Sequence, residues 1–73
     1  MSLMRFSVVY EIEPGSNWSA YVPDLPGCVS TGQTLDDVKL SIREAIEGHV
    51  QVMREFGDPI PEPTTFVEVV ELA

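Results

Sequence analysis

Seventy-three residues, 44% of them hydrophobic, suit one globular domain with a thin core, because a chain this short buries only about 60% of its unfolded surface on folding. Twelve acidic side chains against four basic ones give a net charge of −8, which disfavours binding to a phosphate backbone and favours encounter with a basic protein. A single cysteine excludes an internal disulfide and suits a reducing cytoplasm, and no apolar run reaches the roughly 20 residues that cross a bilayer.

Met1-Ser2-Leu3 stands just ahead of a second methionine and reads as an expression-vector leader, with the domain occupying residues 4–73. Residues 5–12 then alternate, placing Phe6, Val8, Tyr10 and Ile12 on one face and Ser7, Val9 and Glu11 on the other, the period of a strand. Pro14-Gly15 supplies the central pair of a type II turn, since proline presets φ and glycine accepts the positive φ that follows. Trp18, Ala20 and Val22 alternate with Ser19 and Tyr21 in a second, antiparallel strand. Pro26-Gly27 repeats the turn chemistry, and residues 28–32 complete a meander.

Thr34 is a helix N-cap, and Asp37 three residues later offers a reciprocal capping pair and a negative charge at the positive end of the helix dipole. From there Leu35, Val38, Ile42, Ala45, Ile46, His49, Met53 and Phe56 recur at three- and four-residue spacings, drawing one apolar stripe over about six turns. Gly57 sits where a left-handed residue closes a helix, and Pro59 cannot continue one. Pro59, Pro61 and Pro63 make the next stretch a stiff extended strut. Residues 64–72, rich in β-branched side chains, read as a last strand with Val67 and Val69 on one face and Phe66, Val70 and Leu72 on the other.

A right-handed crossover through the helix predicts an α+β fold, β-β-β-α-β, with a four-stranded mixed sheet of order 3-2-1-4 and one long helix on one face. One helix leaves the second sheet face uncovered, so a homodimer or tetramer is expected.

The side chains that carry chemistry are few and poorly assembled. His49 lies on the apolar helix stripe without a nucleophile or orienting group at a useful spacing, and Cys28 follows a tight turn with no cation beside it. Glu11, Glu13 and Asp24 sit at a strand end and in a turn, where acids are ordinary, and glycine-rich phosphate loops and paired histidines are absent. The four cations, Arg5, Lys39, Arg43 and Arg54, are scattered along the sequence. No catalytic residue, cofactor or metal is therefore assigned, and no enzyme activity is expected.

Taken in order, Trp18-Ser-Ala-Tyr-Val-Pro-Asp24-Leu-Pro-Gly27-Cys, then Gly32-Gln-Thr34-Leu, then Ile42-Arg-Glu-Ala45-Ile, and finally Phe56-Gly57-Asp-Pro-Ile60-Pro61-Glu-Pro63, the chain resembles the HicB-like antitoxin family. The resemblance implies a truncated RNase H-like β-β-β-α-β unit without nuclease activity. It also implies a partner, a small basic HicA-type toxin that cleaves mRNA and whose active site the antitoxin masks. Many relatives carry a C-terminal DNA-binding segment; none is recognised before Ala73, so direct nucleic-acid binding is not expected. Two other readings remain open at this point: an orphan homo-oligomeric scaffold or ligand-binding domain without a toxin, and a metal-dependent RNA-binding or nuclease remnant built on Glu11, Glu13 or Asp24. The partner surface expected here comprises the turn Asp24, Leu25, Pro26 and Gly27, the strut residues Pro59, Pro61 and Pro63, and the helix acids Glu44 and Glu47, because tight turns and prolines lose little entropy on docking.

Overall fold

The computed structural model describes residues 4–12 and 14–73; the expected leader at residues 1–3 and the acid Glu13 lie outside the described residues. Three short antiparallel strands, β1 (Val9–Ile12), β2 (Trp18–Tyr21) and β3 (Val29–Gly32), precede one helix, α1 (Leu35–Glu55). The sheet order is β1-β2-β3. Its register aligns Tyr10 with Ala20 and Ala20 with Ser30 on the helix side, and Val9 with Tyr21 and Tyr21 with Val29 on the other.

β1 is shorter than its alternating pattern. Stepping back from the Val9–Tyr21 pair, Ser7 would face Pro23, which has no N–H to donate, so the ladder ends there. Phe6 and Val8 still pack against the core from outside the ladder.

Both turns form as their residues dictate. Gly15 and Gly27 take φ of 78° and 83°. The Cys28 N–H donates to the Leu25 carbonyl at 3.0 Å, closing a type II turn around Pro26-Gly27. A second turn precedes it, with the Leu25 N–H on the Val22 carbonyl at 3.1 Å, and the Val22 N–H on the Cys28 carbonyl at 3.1 Å locks the pair. This double turn drives Val22, Leu25 and Cys28 inward, where they join Ala20, Val38 and Ile42 in the buried core. Leu25, Val38 and Ile42 are the largest fully buried side chains, each stabilising the fold by about 1.5–3 kcal/mol relative to exposure.

α1 is bounded at both ends by local chemistry. Thr34 is extended, and its Oγ1 accepts from the Asp37 N–H at 3.1 Å; the return bond from the Asp37 carboxylate does not form among the described residues. At the other end Gly57, with φ of 70°, donates to the Arg54 carbonyl and Asp58 donates to Met53 at 2.8 Å, the paired bonds of a Schellman closure. The buried stripe runs through Val38, Ile42 and Val50, with Leu35, Ala45, Ile46, His49 and Met53 half-buried, whereas Phe56 is 76% exposed and leaves it. α1 packs on β3 and β2.

The four-stranded sheet of order 3-2-1-4 is not formed: the fold is β-β-β-α, and residues 64–72 make no strand. Their β-branched residues favour a strand only when a neighbour supplies pairing and cover. Pro61 and Pro63 remove backbone donors ahead of the segment, and among the described residues no backbone hydrogen bond ties residues 59–73 to the sheet. Phe66 is 99% exposed and Leu72 is 91% exposed, so the expected crossover partner of β1 instead projects from the domain.

Gly32 marks the tightest contact between layers. A Cβ there would lie 2.7 Å from the backbone nitrogen of Val38 and 3.0 Å from its Cα, so the strand end approaches the first turn of α1 as only glycine permits. Gly32→Ala should therefore lower stability by about 1–3 kcal/mol, read as an earlier thermal or urea transition. An unchanged midpoint would show that the helix start shifts freely.

Candidate functional site

The β2–β3 connection and the C-terminal segment meet through one carboxylate. Oδ2 of Asp24 accepts from the N–H groups of Thr64 and Thr65, both at 3.2 Å, and Oδ1 accepts from their hydroxyls at 3.2 and 2.9 Å. The Ser7 hydroxyl donates to the Thr65 carbonyl at 3.0 Å, so the same dipeptide is also fastened beside the approach to β1. Desolvation pushes the Asp24 carboxyl up, but the hydrogen bonds from Thr65 and Thr64 together outweigh it and hold the group below the ordinary carboxylate range. Asp24 thus braces the C-terminal segment, and both its oxygens are engaged within the chain.

The remaining expected surface residues fall into separate places. Leu25 is fully buried and serves the core, whereas Pro26 and Gly27 are exposed at the tip of the double turn. Pro59, Pro61 and Pro63 are exposed along the strut. Glu44 and Glu47, both exposed, are neighbours three residues apart on α1. Glu47 pairs with Arg43 at 3.3 Å, whereas Asp37, Glu44 and Glu55, at intervals of seven and eleven, align along the outer ridge.

The side chains examined for catalysis do not assemble a centre. Cys28 is buried, and desolvation pushes its thiol up, away from the reactive thiolate. His49 is half-buried and shares a cleft of about 550 Å³ with Cys28, Gly27 and Asp58, but among the described residues no hydrogen bond joins it to a nucleophile or a carboxylate. Glu11 lines a different depression with Ser16, Asn17 and Thr31, apart from Asp24. Among the described residues no group of three His, Cys, Asp or Glu side chains is placed to hold a metal ion, and no helix is long and apolar enough to cross a membrane.

Residues 6–72 match the profile of the HicB-like antitoxin of bacterial toxin-antitoxin systems. The chain belongs to that family. The chain is also similar to an uncharacterized 14.9 kDa protein of the rep-hol intergenic region of Haemophilus phage HP1, 44% identical over 56% of this chain. The match spans only 31% of that phage protein. A UPF0150 protein of Archaeoglobus fulgidus is 33% identical over 75% of this chain and 80% of its own length. Another from Thermoplasma acidophilum is 28% identical over 80% of this chain and 84% of its own.

Two features of this HicB-like chain escape a linear reading. The Asp24 clamp joins residues 40 and 41 positions apart, and nothing local in Thr64-Thr65 announces its acceptor. The cations that look scattered in sequence are partly gathered: Lys39, Arg43 and Arg54 line one groove beside α1. Their spacing of four and eleven residues puts them on one helix side, a signal available from a helical wheel.

Because the folded Asp24 carboxyl titrates below its unfolded value of about 3.9, the clamp's contribution is complete above that pH and is lost as pH falls through the lower folded value. Asp24→Ala should release the clamp at neutral pH, speeding amide exchange at Thr64 and Thr65 by roughly tenfold while Ala20 and Ile42 stay protected. Unchanged exchange at the two threonines would mean that Ser7 alone retains the segment.

Proposed function

We propose that this HicB-like protein is an antitoxin that works by binding rather than catalysis, neutralising a small basic toxin of the HicA type in the cytoplasm by masking its active site. The observation that carries the reading is the family match across residues 6–72. The net charge of −8 supports it, since a strongly acidic surface speeds encounter with a basic partner and rejects nucleic acid competing for the same toxin. The lone buried cysteine is consistent with a reducing compartment.

The contact surface we assign combines the acidic ridge Asp37, Glu44 and Glu55 with the rigid exposed elements at the turn tip, Pro26 and Gly27, and along the strut, Pro59, Pro61 and Pro63. Asp24 contributes by bracing the strut's far end rather than by direct contact, because its oxygens already accept from Thr64 and Thr65. Glu47 is set aside from the ridge by its pairing with Arg43.

Co-expression with a small basic toxin of the HicA type, sought first among the reading frames beside the gene, tests this reading: the two products should co-elute, and the complex should lack ribonuclease activity. Glu44→Lys with Glu55→Lys should slow association by about tenfold or more at low salt, with the thermal midpoint nearly unchanged because both side chains are exposed. Failure of the native pair to co-elute would remove the antitoxin reading. A large fall in thermal stability without slower association would show the ridge to be structural.

A further inference from the structure

The helix covers the sheet unevenly. α1 packs on β3 and β2, and between it and β1 an open groove of about 790 Å³ remains. Phe6, Val8, Tyr10, Ile42, Ile46 and Val50 give this groove its apolar lining. Its rim carries Lys39, Arg43 and Arg54, three of only four cations in a chain of net charge −8, together with one acid, Glu47, which pairs with Arg43 and leaves the rim positive on balance. An apolar floor beneath a cationic rim selects an apolar segment that carries acids, and it repels a basic one.

A segment of that description belongs to the chain itself. Residues 66–72 read Phe-Val-Glu-Val-Val-Glu-Leu, and Phe66, Val67, Val69, Val70 and Leu72 are all exposed. A contiguous run of uncovered apolar side chains marks a surface that another surface covers. The segment does not lie in its own groove. Its root is held by Asp24 and by the Ser7 hydroxyl, and Ser7 falls between two groove-lining residues, Phe6 and Val8, without lining the groove itself. The tether therefore sits on the side of the chain that faces away from the groove.

We propose that residues 66–72 of one copy dock into the groove between β1 and α1 of a second copy, and reciprocally, to form a two-fold dimer. At a period of two Phe66, Glu68, Val70 and Leu72 share one side, so the apolar three cover the lining and Glu68 among them meets the cationic rim, while Glu71 stands on the opposite side and adds negative charge near the same rim. A two-fold axis makes the exchange self-complementary, since each protomer offers one segment and one groove. The charge pattern is what distinguishes this occupant from a basic toxin, so the dimer stands independently of the antitoxin reading.

Sedimentation of the full chain over a concentration series, with paired charge reversals, tests the exchange. The unaltered protein should dimerise. Lys39→Glu with Arg54→Glu, and separately Glu68→Lys with Glu71→Lys, should each weaken self-association by about tenfold or more. An equimolar mixture of the two variants should regain a heterodimer, because the reversed groove receives the reversed segment and the unaltered groove receives the unaltered one. Phe66→Ser, at a side chain 99% exposed within the protomer, should weaken the dimer while leaving the helical circular dichroism intact. A protein that stays monomeric throughout would overturn the proposal. So would a dimer indifferent to both reversals, which would place the contact elsewhere, or variants that retain native circular dichroism but fail to pair when mixed.

Discussion

A single helix can seal only part of one sheet face, and the rest of this molecule follows from that limit. Val38 and Ile42 of α1 close over Ala20, Val22, Leu25 and Cys28, and these six side chains form the buried core cluster. The double turn between β2 and β3 is what makes so small a core sufficient, because it turns Val22, Leu25 and Cys28 inward from a connection that would otherwise be solvated. Gly32 permits the approach by removing the side chain that would meet the first turn of the helix. What the helix does not reach stays available: the flank of β1, the row Val9, Tyr21 and Val29 on the far face, and the projecting residues 66–72.

Local chemistry was legible in the sequence, and pairing at a distance was not. Pro14-Gly15, Pro26-Gly27, Thr34 and Gly57 each fix a backbone angle or a cap through a residue's own geometry, and each acts where its residue type places it. The alternating side chains of residues 64–72 specify which sides they would present as a strand but not what lies beside them, and among the described residues no strand pairs with them. β1 is shorter than its alternation for a related reason: Pro23, sixteen residues on from Ser7, ends the ladder by lacking an N–H, a constraint visible only once register is known. Leu25 shows the same limit at the candidate surface. A leucine in an Asp-Leu-Pro-Gly turn reads as an exposed tip residue, yet the double turn buries it completely.

Charge is distributed as unevenly as apolar surface. Along α1, Asp37, Glu44 and Glu55 align on an outer ridge, whereas Lys39, Arg43 and Arg54 line the groove with Glu47 paired to Arg43, so the outer ridge is acidic and the groove side positive on balance. The Asp24 clamp sits in the connection between β2 and β3 and sets where residues 66–72 leave the domain.

The most direct measurement of that division is a titration of the isotopically labelled protein with a purified small basic toxin of the HicA type, followed by amide chemical shifts. The account predicts that resonances of Asp37, Glu44, Glu55 and Gly27 move while those of Tyr10, Ile46 and Val50 hold still. Shifts centred on the groove, with a silent ridge, would contradict it.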